Sequence, residues 1–214
     1  VSFDKKYWDE NYSEPQTMDG IGNANGHLKY LSSVFSLELI DINSVIDLGA
    51  GFGVFLQKAV KHFMPYKVAA IEPSEFAFKK LQKRKLKYSN NMQLQLTQIS
   101  IEEWCEKKAS MRECYDLGIC MSVFQYLSQD SLRLVIPIIA KRVKYLYLTF
   151  PTDIELKRQR EEIVFFDQYA RARPREFYLK LLEPYFTTVS SRILESKYYF
   201  DQNTTHFTDL YYRF

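Results

Sequence analysis

Cysteine is scarce in this 214-residue chain: only Cys105, Cys114 and Cys120 occur, with no Cys-x-x-Cys pair. An odd number without paired spacing argues against a disulfide framework and for a reducing compartment. Long apolar runs are missing as well; none approaches the roughly twenty residues that span a bilayer. Val1 to Glu10 is charged and aromatic rather than signal-like, so the chain reads as cytoplasmic, with no membrane partner. Neither sign of charge dominates: 29 basic against 26 acidic residues leave a net charge of +3, which by itself gives no argument for nucleic acid. Seven glycines and seven prolines are too few for a collagen-like or low-complexity chain. No His, Cys and Asp cluster has metal-ligand spacing, and no metal is expected.

What is present alternates between strand and helix patterns. Ser44–Leu48, Lys67–Ile71, Met92–Leu96, Tyr115–Cys120 and Lys144–Phe150 read as strands. Between them, helices are expected over His27–Leu39, Val54–Met64, Ser74 to about Lys87, Ile101–Ala109 and Ser128–Ala140, with Pro137 kinking or dividing the last. This order predicts an α/β fold with a largely parallel sheet in one domain, 1–214. Residues 1–39 form an N-terminal helical cap or lid in this reading. The stretch 153–173 is expected to be a charged helical insertion after the fifth strand, with another helix over 175–182. Thr187–Lys197 and His206–Phe214 are β-rich and predict a terminal antiparallel hairpin.

The sharpest local signal joins the first strand to the helix after it: Asp47-Leu48-Gly49-Ala50-Gly51-Phe52-Gly53. Glycines at a strand-to-helix turn let backbone approach a ligand, at the strand ends where open α/β sheets bind ligands. The dinucleotide fingerprint G-x-G-x-x-G requires a glycine where Val54 stands, and no Gly-Lys-Ser/Thr follows to make a P-loop. Glu72 ends the second strand, 19 residues after Gly53, where a carboxylate can grip both hydroxyls of a ribose.

The order D-x-G-x-G-x-G resembles the first motif of class I S-adenosylmethionine-dependent methyltransferases. Tyr115 to Leu127 is similar to the family's fourth strand and following turn, with Tyr126 where many members carry His. The resemblance covers about residues 40–150. It implies a seven-stranded, mostly parallel sheet with helices on both faces and an antiparallel terminal hairpin. It also implies S-adenosyl-L-methionine as cofactor. On it, Asp47, Gly49, Ala50, Gly51 and Gly53 surround the methionine part, Glu72 holds the ribose, and Pro73 and Ser74 lie beside the adenine. Gln98, Ile99 and Ser100 follow the third strand, where the family touches the adenine amino group. Cys120 and Met121 lie near the sulfonium, although Cys120 also reads as a small buried hydrophobe. Trp8 and Tyr12 are candidates to pack over the site.

Methyl transfer needs a base only if the acceptor arrives protonated. His27, in a loop rich in Gly and Asn, and Tyr126 are the candidates for that role; His27 reads equally as a helix-start histidine. A small-molecule acceptor is expected, since no appended binding module is visible. A protein or RNA acceptor remains open through the basic run Lys79, Lys80, Lys83, Arg84, Lys85 and Lys87, which also reads as a solvated helix face. A non-catalytic cofactor-binding protein is the third reading.

Overall fold

A computed structural model describes residues 3, 5–11, 19–108, 113–162 and 165–208. Eight α-helices lie among them: α1 (Lys5–Asn11), α2 (Ala24–Leu37), α3 (Val54–Phe63), α4 (Glu75–Gln82), α5 (Ile101–Lys108), α6 (Gln129–Ala140), α7 (Asp153–Glu162) and α8 (Arg175–Leu182). They surround one sheet built from β1 (Ser44–Leu48), β2 (Lys67–Ile71), β3 (Gln93–Thr97), β4 (Tyr115–Met121), β5 (Val143–Thr149), β6 (Phe186–Thr188) and β7 (Ile193–Ser196).

The strand order is β3-β2-β1-β4-β5-β7-β6. Strands β1 to β5 pair in parallel, and β7 runs antiparallel between β5 and β6. Every residue of the central β1 is buried, as a parallel strand covered on both faces should be. Alternate side chains feed two separate cores. Ile46, Leu48 and Leu146 pack with Trp104 of α5, Val135 of α6 and Leu182 of α8. Val45, Leu117 and Tyr147 pack with Phe35 of α2, Leu56 of α3 and Leu81 of α4 on the opposite face. At the edge, β3 exposes Gln93 and Gln95, polar residues that discourage further strand pairing.

Helix ends follow local chemistry. Ser74 and Ser128 cap α4 and α6 by accepting from the amides of Ala77 and Ser131. The α4 helix stops at Gln82, short of the expected Lys87, and α2 begins at Ala24, three residues before the expected His27. Pro137 does not divide α6, which runs through it to end three residues later.

Two expectations are corrected. Among the described residues of the expected insertion only α7 is helical; residues 165–173 are irregular. There the backbone has long-range partners instead: Arg171 N donates to Gln125 O and Arg173 O accepts from Asp153 N, while the Arg173 guanidinium donates to Leu127 O. The hairpin forms within 186–196, because the stretch read as one strand turns on Ser190 and Ser191. Residues 206–208 are not in the sheet, although Phe207 is buried against Tyr145; the remainder of that expected strand lies outside the described residues.

Candidate functional site

The C-terminal ends of β1, β2 and β4 border a cavity of about 140 Å³. Its floor is the glycine turn. Amides of Gly49 and Ala50 both donate to Ile71 O, at 3.0 and 2.9 Å, which bends the chain away from β1. Gly49 has φ +104°, and a Cβ there would stand 2.5 Å from Val123 Cγ2. Gly53 has φ +70° at the N-cap of α3, and a Cβ would overlap Leu81 Cδ1. Both positions therefore require glycine. Phe52 is fixed from the outside: Arg84 Nε donates to its carbonyl at 2.8 Å, and Lys80 Nζ lies 4.3 Å from its ring centroid. Two cations of the basic run thus buttress the turn.

Two buried carboxylates face this turn. Glu72 accepts Gly51 N–H on Oε2 and Ser74 N–H on Oε1, each at 2.8 Å. Each carboxylate oxygen carries a second lone pair, so both keep accepting capacity for a ligand. Burial raises Glu72 to about 7 against the pull of its two amide donors. Asp47 is raised to about 8 by burial, with the charge of Glu72 adding to it. An acidic pair buried this deeply is poised to meet a cationic ligand.

The N-terminal segment closes over the pair. Trp8 Nε1 donates to Ser74 Oγ at 2.9 Å and Phe3 O at 3.1 Å, and its ring packs on Phe52 at 4.6 Å between centroids. Phe3 meets Tyr7 and Tyr126 edge-on, at 4.9 and 5.0 Å. The buried Asp167, from the irregular stretch after α7, accepts from Tyr7 OH at 3.0 Å and from Tyr126 OH at 2.6 Å. Tyr126 and Asp167 therefore join the N-terminal segment to the stretch after α7.

His27 sits in the first turn of α2 and is buried. Its Nε2 lies 2.6 Å from Asp19 Oδ1 and its Nδ1 lies 2.5 Å from Tyr147 OH. Asp19 is held at about 2: its hydrogen bonds to His27, Asn23 and Thr149 outweigh a burial penalty that acts in the opposite direction. Asp19 and Ser122 also border a second, larger groove of about 810 Å³ between the end of β5, α7, α8 and the β6–β7 turn.

Of the residues expected from sequence, Asp47, Gly49, Ala50, Gly51, Glu72, Pro73, Met121, Trp8 and Tyr126 line the one cavity. Gly53 and Ser74 shape it from behind, through the turn and the Trp8 hydrogen bond. Ser100 forms a capping box with Glu103 at the start of α5, Ile99 packs against a hydrophobic core, and neither they nor Gln98 border the cavity. Cys120 is fully buried, its thiol pushed well up by burial. Tyr12 lies outside the described residues. Phe3, Tyr7, Asp19, Val123 and Asp167 were not singled out from sequence; the one local cue was an acid eight residues before His27 in a Gly- and Asn-rich loop. Among the described residues no group of His, Cys, Asp and Glu is arranged to hold a metal ion, and no helix is long and apolar enough to cross a membrane.

No protein-family model matches the chain, and no curated protein matches it in sequence. Solved structures do match in fold. The plantazolicin methyltransferase BpumL in complex with SAH matches at a TM-score of 0.61 and 17% identity, over 84% of this chain and 66% of that one. The methyltransferase domain of bacterial CtHen1 matches at 0.59 and 16%, over 81% and 98%. Magnesium protoporphyrin IX methyltransferase (ChlM) from Synechocystis PCC 6803, with bound SAH, matches at 0.56 and 17%, over 91% and 95%. The chain thus spans just under two thirds of the length of BpumL. Its fold is that of these class I methyltransferases.

Proposed function

We propose that the chain is an S-adenosylmethionine-dependent methyltransferase acting on a small-molecule acceptor. The observation that carries this reading is the buried pair Asp47 and Glu72, facing a glycine turn at the carboxyl ends of β1 and β2. The residues fit the cofactor. Glu72, oriented by two backbone amides, retains lone pairs for the ribose hydroxyls. Asp47, raised to about 8 in the free protein, becomes negative when the cationic methionine end binds beside it, while glycines at positive φ let the backbone of the turn approach the ligand. Pro73 and Trp8 cover the nucleoside side, and Met121 borders the reacting end. The matched structures carrying SAH support the same assignment.

When bound, the cofactor supplies an activated methyl on a sulfonium, so the protein's task is mainly orientation and exclusion of water. The latch of Tyr7, Tyr126 and Asp167 does the second by holding an aromatic lid over the cavity. The first falls to the rigid turn and to the groove that meets the cavity at Asp19 and Ser122, through which an acceptor enters. The structure determined with SAH tests the assignment: both ribose hydroxyls should lie within hydrogen-bond distance of Glu72. SAH bound elsewhere on the fold would overturn it.

A further inference from the structure

Among the described residues, Asp19 is the one carboxylate that borders both the cavity and the groove; Asp47 and Glu72 line only the first and Glu155 only the second. Its hydrogen bonds are partly spent. Oδ1 accepts from His27 Nε2 at 2.6 Å and Asn23 Nδ2 at 2.8 Å, and Oδ2 accepts from Thr149 Oγ1 at 3.0 Å. A carboxylate has about four accepting positions. One therefore stays open on Oδ2, and the side chain keeps 37% of its surface exposed.

Behind Asp19 stands a directed chain. Tyr147 OH meets His27 Nδ1 at 2.5 Å, and His27 Nε2 faces Asp19. Because the carboxylate of Asp19 can only accept, the hydrogen between the two belongs to His27 Nε2. The chain thus holds the carboxylate in place and in its charged form.

Resting on the methyltransferase reading above, we infer that Asp19 receives an N–H of the methyl acceptor at the junction of the two spaces, that the acceptor is an amine, and that His27 and Tyr147 are positioning residues. An amine meets Asp19 as its ammonium form, with a pKa of about 10, and loses one proton to water in the groove; the neutral amine then donates one N–H to Asp19 and still presents a lone pair. An alcohol donating its only hydrogen would need that proton removed, and a carboxylate held this far below its ordinary range is a poor base. In the transfer the nitrogen lone pair forms the N–C bond, and the C–S bond breaks with its pair left on sulfur as a thioether. Nitrogen becomes a cationic ammonium beside Asp19, which stabilises the developing charge, and its extra proton leaves to solvent through the groove. The groove's size and its Phe150, Tyr178 and Leu182 walls suit an amine carried on a drug-sized, partly apolar body.

The test pairs primary amines with alcohols of the same skeletons, with binding read by ligand-observed NMR on protein saturated with SAH. Wild type should prefer the amines by about tenfold or more, and D19N should lose that preference, its amine affinity falling further than its SAH affinity. Y147F should move the imidazole 15N shifts of His27 and weaken amine binding, a signature that a packing role alone would not produce. Equal binding of amines and alcohols, no amine binding at all, or D19N with amine preference intact would overturn the inference. Failure of wild type to bind SAH would instead sink the methyltransferase reading, which separates the two.

Discussion

Asp47 and Glu72 stand at the ends of neighbouring parallel strands, one on each side of the last paired step, Leu48 with Ile71. Both are buried, and the negative charge of Glu72 raises Asp47 further than burial alone. Two acids placed this way destabilise the protein when both are charged.

The first consequence is in stability. Asp47 rises from 3.8 to about 8 and Glu72 from 4.5 to about 7, so between those limits the folded state holds protons that the unfolded chain has released. The stability linked to them is fully present below the ordinary carboxyl range and is lost as pH rises through about 7 to 8. Asp19 and Glu113, held at about 2, act in the opposite sense, losing their contribution only as pH falls from about 4 toward 2. The melting temperature of the ligand-free protein should therefore drop from about pH 4.5 up to about pH 8 and level off above it, and D47N should flatten the drop. A profile for D47N with the wild-type slope would contradict this.

Ligand binding carries the same signature. A cation beside Asp47 returns the pair toward its charged form, so SAH binding near pH 7 should release protons and strengthen as pH rises. Calorimetry in two buffers of different ionisation enthalpy measures the release; identical heats in both would exclude it.

Glu72→Gln keeps the size of the side chain but loses its charge and one accepting oxygen. Hydrogen bonds to a charged group contribute about 1.5–3 kcal/mol, so SAH affinity should fall roughly tenfold to a hundredfold. Equilibrium dialysis reads it directly.

Gly49→Ala should cost about 1–3 kcal/mol, from positive φ together with overlap on Val123. Adding Val123→Ala removes the overlap but not the backbone strain, so denaturant unfolding should show partial recovery only.

The latch can be tested apart from the cofactor. Asp167→Ala removes the acceptor shared by Tyr7 and Tyr126 and should destabilise the lid by about 1–3 kcal/mol. In a Trp104→Phe background, which leaves Trp8 as the sole tryptophan, the emission should then shift to the red. Unchanged emission would mean that the lid stays closed without Asp167.

The parts legible in sequence were local. Ser44–Leu48 and Lys67–Ile71 carry short, mainly apolar runs and form strands with those bounds, and Ser74 and Ser128 cap helices as their positions suggest. The turn and Glu72 were legible because their chemistry follows directly from two adjacent strands. Asp167 was not, because its partners lie 160 and 41 residues away and no periodicity records them. The same holds for residues 165–173, whose charge suggested helix while Gln125 O and Asp153 N took up the backbone groups of Arg171 and Arg173. His27 was visible as a candidate, but its bond to Tyr147 spans 120 residues, and only that pairing turns it toward positioning Asp19.

The most direct test of the central claim is a parallel calorimetric titration of the purified chain with S-adenosylmethionine, SAH and NADH. Binding of the two sulfur ligands, with no heat from NADH, is the expected result. A folded protein that binds neither sulfur ligand, or NADH alone, would contradict the assignment of the Asp47–Glu72 cavity.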